Sequence, residues 1–180
     1  MSQKVDITQD TSHMEGTLEH GKLDGPVRIH RDGAPLASLT YQQGVLNGPA
    51  VVMHSSGEAS ARFGHQAGKL HGPATFHTPE GVLQRQVQYK NGLLHGEAKT
   101  FYADGTLAEV AHYREGKLHG LLQRYHLGGD KLSERQTFQE GKAADELQRF
   151  ATDGRPLDAA GKPISRVRWW WRQMFGGHEA

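Results

Sequence analysis

Residues 92–116 read GLLHGEAKTFYADGTLAEVAHYREG, and the chain writes close copies of this stretch again and again. GKLHG stands at 68–72 and returns letter for letter at 116–120. Counting outward, the segments that open at Gly21, Gly44, Gly68, Gly92, Gly116 and Gly141 are 23, 24, 24, 24 and 25 residues apart. A fixed period of this length is the signature of tandem structural repeats.

Each unit carries a second mark. The openings GKLDG, GVLNG, GKLHG, GLLHG and GKLHG are followed eight or nine residues on by Gly33, Gly57, Gly81, Gly105 or Gly129. Two glycine marks divide a unit into two elements: a short one such as EAKTFYAD and a longer one such as TLAEVAHYRE. Both have strand length and are too short for stable isolated helices. In VLQRQVQY, Leu83, Val87 and Tyr89 alternate with Gln84, Gln86 and Gln88, and Leu107, Ala111 and Tyr113 take the matching places one unit later. That two-residue period belongs to a half-buried strand.

Asp32-Gly33, Glu80-Gly81 and Asp104-Gly105 supply turns in which glycine takes the positive φ. Each unit therefore reads as one β-hairpin. Five complete hairpins, a partial strand over 16–20 and a weakened sixth unit from Gly141 predict an all-β fold, an elongated single-layer antiparallel sheet of eleven or so strands. Such hairpins bury little alone and draw stability from their neighbours. Residues 1–14 are expected as a polar arm, 15–157 as the repeats and 158–180 as a Trp/Arg-rich helix.

The combination of a G-x-L-x-G corner, a strand, an acidic-Gly turn and L-x-x-x-x-x-Y-x-x-G resembles MORN-type repeats, in particular those of YwqK-like bacterial antitoxins. It covers roughly residues 15–157. The likeness implies a binding surface, and in the antitoxin group a surface that neutralises a toxin encoded beside it. The pattern weakens where His65 replaces the closing aromatic, and in GKAADELQRFATDG, which lacks the leucine and the second glycine.

Composition narrows the function classes. Apolar residues make up 36%, too few for a thick core, and a formal charge of +1 gives no global field to recruit nucleic acid. With no cysteine, disulfides and Cys-ligated zinc are excluded, as a reducing cytoplasm permits. The opening MSQKVDITQDTSHM has no apolar run of the secretory kind, so a cytoplasmic location is expected.

His71, His95 and His119 share one repeat position, held earlier by Asp24 and Asn47. Equivalent positions two strands apart stand roughly 9.6 Å from one another, whereas zinc requires nitrogens at about 2.1 Å. These histidines read as corner residues, and no metal or other cofactor is expected. Gly16, Gly21 and Lys22 imitate a phosphate loop, but Leu23 stands where a magnesium-binding Ser or Thr is needed. His30-Arg31-Asp32 is read as a turn, without the rest of a kinase signature. No catalytic constellation emerges, so the expectation is a protein that is not an enzyme.

PISRVRWWWRQMFGG, near the C-terminus, holds all three tryptophans. Read as a short amphipathic helix capped by Ser165, it sets Val167, Trp170, Trp171 and Met174 on one side. Three roles are open to it: a cap on the last sheet edge, an anchor for a partner, or a membrane or nucleic-acid contact, the last disfavoured by its few arginines.

The candidate partner-binding residues are Tyr89, Phe101, Tyr102, Tyr113 and Tyr125 on the strands and Trp169, Trp170, Trp171 and Arg172 in the tail. Alternation places Tyr89 and Tyr113 with the leucines, hence toward packing. The expected function is an immunity or antitoxin protein that occludes a cognate protein toxin, without nucleic acid as a partner. The alternative is a MORN-type scaffold or peripheral lipid-binding protein whose tail touches membrane.

Overall fold

The computed structural model describes residues 2–165 and Val167. The chain divides into two compact units, 1–98 and 99–180. Every regular element over 2–165 is a strand, and the strands pair antiparallel with those nearby in the sequence.

In the first unit β1 (Ser2–Gln9) and β2 (Ser12–Glu19) form a hairpin. There follow β3 (Lys22–Leu23), β4 (Gly25–Arg31), β5 (Ala34–Gln42), β6 (Val45–Leu46), β7 (Gly48–Met53), β8 (Ala59–Gln66), β9 (Lys69–Leu70), β10 (Gly72–His77), β11 (Leu83–Lys90) and β12 (Leu93–Leu94). The boundary between units falls within β13 (Gly96–Phe101). The second unit continues with β14 (Leu107–Arg114), β15 (Lys117–Leu118), β16 (Gly120–Tyr125), β17 (Leu132–Gln139), β18 (Lys142–Ala143) and β19 (Gln148–Arg149).

The two glycine marks make two different turns. At the opening mark, Ala67-Gly68 and Asn91-Gly92 both have positive φ (49° and 78°, 54° and 87°), the two-residue turn that follows the twist of its flanking strands. At the second mark, Gly81 N–H donates to Thr78 C=O and Thr78 N–H to Val82 C=O, with a register slip at Phe76/His77. This is a three-residue loop closed by a glycine bulge. Asp32-Gly33 departs from that second form, since both residues have positive φ and Arg31 pairs directly with Ala34.

More strands are present than the sequence implies because the last glycine of each G-x-L-x-G corner takes a positive φ, 83° at Gly72, and breaks one strand into a two-residue stub and its continuation. The sixth corner, GKAAD, has no glycine there, and no strand resumes between β18 and the two-residue β19. The polar arm expected over 1–14 is instead the whole of β1 and the start of β2. The helix expected from 158 onward is not yet helical at its beginning: Asp158 N–H donates to Lys162 C=O in a turn, and Leu157 bridges Pro163. The helical register of the tail, Trp169, Trp170, Trp171 and Arg172 lie outside the described residues.

In the first unit the sheet keeps one apolar face. Val27 pairs with Leu39, Ala50 with Phe63 and Ala74 with Val87; Val27, Ala50, Ala74 and Val87 are fully buried. The same face carries the corner leucines, set opposite the closing aromatic: Tyr41 with Leu46, His65 with Leu70, Tyr89 with Leu94 and, in the second unit, Tyr113 with Leu118. The largest fully buried side chains are valines, so the core is thin and the ties between repeats matter.

Those ties recur with the period. In the first unit the turn glycine N–H groups of Gly44, Gly68 and Gly92 donate to the corner-leucine carbonyls of Leu23, Leu46 and Leu70 at 2.7, 2.8 and 2.8 Å. Gly141 does the same to Leu118 at 2.8 Å in the second unit. At the opposite turns a side chain spans the repeats: His54 Nε2 donates to His77 C=O at 2.9 Å in the first unit. In the second, Tyr102 Oη donates to Tyr125 C=O at 2.6 Å and His126 Nε2 to Phe150 C=O at 2.9 Å.

Candidate functional site

The second unit presents an open groove of about 480 Å³ on its sheet. Its walls include Tyr102, Tyr125, His126, Phe150 and Leu157, all half-buried. Tyr102 and His126 are the spanning residues described above, so the ties that join the repeats also hold aromatic rings against the groove.

A row of alternating charge crosses the groove. Glu109 on β14 faces Arg124 on β16, Arg124 faces Glu134 on β17, and Glu134 faces Arg149 on β19. Arg124 donates from Nε to Glu109 Oε2 at 2.9 Å and from Nη1 to Glu134 Oε2 at 3.0 Å, and Arg149 Nε stands 3.5 Å from Glu134 Oε1. Opposite charges directly across a strand pair attract, and the row fixes its own members. The bond to Glu109, and then the bond to Glu134, hold the Arg124 pKa above its ordinary value. With its side chain 52% exposed, Arg124 still faces solvent, and water screens the energetic worth of the row.

The candidate residues fall in three places. Tyr102 and Tyr125 are brought together at the groove, and Phe101 ends β13 beside Tyr102. Tyr113 lies opposite Leu118 on the packing face, as Tyr89 lies opposite Leu94 in the first unit. Tyr102 sits in a turn rather than on a strand. Glu109, Arg124, Glu134 and Arg149 were not among the sequence candidates; aligning the repeats strand by strand places Glu109 and Glu134 at one repeat position and Arg124 between them.

The corner position of the repeats serves the next turn. Asp24 Oδ2 accepts the Gln43 N–H and the Gln43 side-chain amide, each at 2.9 Å, and Asn47 Oδ1 accepts the Ala67 N–H at 3.1 Å. At the same position in the second unit, His119 Nδ1 lies 3.3 Å from Glu140 Oε1, close enough for attraction when the ring is charged but not aligned as a hydrogen bond. Glu140 also receives Arg114 Nη2 at 2.6 Å, and that bond holds the Glu140 carboxyl below its ordinary pKa. Among the described residues no three His, Asp or Glu side chains converge as a metal cage.

The MORN repeat variant matches residues 70–91 and 94–115. No curated protein matches the chain. Among solved structures, similarity extends to a mutant of Staphylococcus aureus TarM in complex with fondaparinux, alpha-GlcNAc-glycerol and UDP, at 13% identity and a TM-score of 0.36, covering 64% of this chain and 21% of that one. A second TarM structure gives 13% identity and a TM-score of 0.35 over 61% and 19%. Accessory secretory protein 1, 2 and 3 of Streptococcus pneumoniae gives 10% and 0.20 over 83% and 19%. The chain thus spans about a fifth of the length of these solved chains. Two adjacent stretches thus match the MORN repeat variant, and each is a glycine-marked hairpin segment of the sheet, which supports reading the chain as a MORN-type repeat protein.

Proposed function

We propose that this protein is a non-catalytic binding protein of the cytoplasm that neutralises a cognate protein toxin by covering it. The observation that carries the reading is the groove of the second unit, where Tyr102, Tyr125 and Phe150 flank the Glu109, Arg124, Glu134 and Arg149 row. Aromatic and arginine side chains in a held geometry are what protein interfaces use as anchors. The resemblance of the repeats to YwqK-like antitoxins supports a toxin as the partner.

Co-expression with each neighbouring reading frame tests it. Growth arrested by one neighbour should be restored by this chain, the two should co-purify, and Arg124→Glu should weaken both effects. Absence of any toxic neighbour together with absence of any co-purifying protein would overturn the reading.

One observation favours a second reading, peripheral lipid contact. In the first unit Lys22, Val45, Lys69 and Leu93 share one repeat position beside the two-residue turns, with Val45 and Leu93 exposed. Basic and aliphatic side chains in one row suit an anionic membrane surface. No helix of the described residues is long and apolar enough to cross a membrane. Flotation with anionic liposomes separates the two readings: loss of binding in Val45→Glu/Leu93→Glu supports lipid contact, and a protein that ignores the liposomes excludes it.

A further inference from the structure

We infer that β1 is a self-pairing edge, through which two copies of this chain join their sheets antiparallel about Val5. Among the described residues β1 hydrogen-bonds on one flank only, to β2. It runs for eight residues without proline, glycine or bulge, and the charges that would blunt it as an edge, Lys4 and Asp6, are of opposite sign. The second unit differs, since past the two-residue β19 the described residues form only isolated bridges at Pro156 and Pro163.

The backbone settles which residues face outward. Thr17 C=O accepts the Asp24 N–H, so Thr17 directs its backbone away from β1, whereas its neighbours Gly16 and Leu18 direct theirs toward it. Val5 pairs with Gly16, Ile7 with Met14 and Gln3 with Leu18, which leaves Ser2, Lys4, Asp6 and Thr8 with outward N–H and C=O groups. In an antiparallel pair centred on Val5, those four residues meet as hydrogen-bonded pairs: Lys4 opposite Asp6 of the second copy, Asp6 opposite its Lys4, and Ser2 opposite Thr8 at both ends. The unlike charges coincide twice by symmetry, and a shift of two residues along the strand would set Lys4 against Lys4 or Asp6 against Asp6. Charge thus selects both the partner and the register.

The other face of β1 agrees. Val5 packs over Gly16, where an added Cβ would meet Val27 Cγ2 at 3.1 Å and Val5 Cγ1 at 3.6 Å, so Val5 extends the buried stripe that contains Val27. Ile7, two residues on and on the same face, remains 50% exposed. Pairing about Val5 brings the two Val5 side chains into contact and sets each Ile7 diagonally against Val5 of the other copy, giving a short apolar row across the junction. Asp6 lies 3.3 Å from His13 Nδ1 through Oδ1 and keeps 67% of its side chain exposed.

Sedimentation velocity on the full chain over a concentration series at low salt tests the pairing. The wild-type chain should dimerise, and Lys4→Asp and Asp6→Lys should each weaken dimerisation roughly tenfold or more, since each sets like charges opposite twice. Mixed one to one, the two variants should form a heterodimer, because both unlike pairs are restored; that recovery also shows that each variant is folded. A monomeric wild-type chain at all concentrations, a dimer indifferent to both substitutions, or variants that fail to recover on mixing would each overturn the inference.

Discussion

The Tyr102 hydroxyl donates to the backbone carbonyl of Tyr125, 23 residues away, at 2.6 Å. His126 occupies the same place one repeat later and donates to Phe150 C=O. Tyr102→Phe deletes the donor and leaves the carbonyl short of a partner, which should cost roughly 0.5–1.5 kcal/mol in urea unfolding. Tyr102→His, copying His126 of the next repeat, should lose less. No loss from Tyr102→Phe would mean that the ring, not the bond, joins the repeats.

Two glycines should resist alanine for different reasons. Gly72 has φ +83° and nothing within 4 Å of an added Cβ, so Gly72→Ala tests backbone conformation alone and should cost roughly 1–2 kcal/mol. Gly64 has ordinary φ, but a Cβ there would stand 2.8 Å from His71 C=O, so Gly64→Ala must push apart β8 and the corner that follows it. Amide chemical shifts should move mainly at the substituted residue in the first case and also around His71 in the second.

Acid should weaken the fold through carboxylates. Glu140 is held below its ordinary pKa of 4.5 by its bond from Arg114, Glu80 by Thr78, and Asp104, ordinarily 3.8, by Thr106. A lowered folded pKa contributes stability that is complete above the unfolded value and lost as pH falls through the folded one. The melting temperature should therefore respond to these groups only below about pH 5, and Glu140→Gln should flatten the fall. A fall in melting temperature below about pH 5 that is the same in Glu140→Gln as in the wild-type chain would contradict the assignment.

Burial predicts a sharp contrast between two aliphatic residues. Val87 is fully buried against Ala74, and Val87→Ala removes two buried carbons, worth roughly 2 kcal/mol with the space left behind. Leu127 is 73% exposed in a turn, and Leu127→Ala should change stability by less than about 0.5 kcal/mol. Thermal unfolding of both variants checks the pair.

The hairpins were legible because glycine and alternation report backbone geometry locally: Gly68, Gly92 and Gly116 mark turns, and LQRQVQYK declares its buried face. β1 was less so, since SQKVDITQ offers only Val5 and Ile7 as an alternating pair among polar residues. The stub strands were hidden for a related reason, because a bulge at Gly72 looks in sequence like part of one corner. Among the site residues, the aromatic character of Tyr102 and Tyr125 was visible, but not the row of Glu109, Arg124, Glu134 and Arg149. Its facing members lie 10 to 15 residues apart and meet only through strand register, which depends on loop length and bulges rather than on neighbours in the chain.

Amide hydrogen exchange at Gly44, Gly68, Gly92 and Gly141 tests most directly whether the repeats are tied neighbour to neighbour, since each of these N–H groups is bonded to a corner-leucine carbonyl of the preceding repeat. Exposed turn amides would otherwise exchange almost as fast as an unfolded chain; the ties predict exchange slower by roughly a hundredfold or more at all four. Unprotected amides at these glycines, with the strands on either side protected, would contradict it.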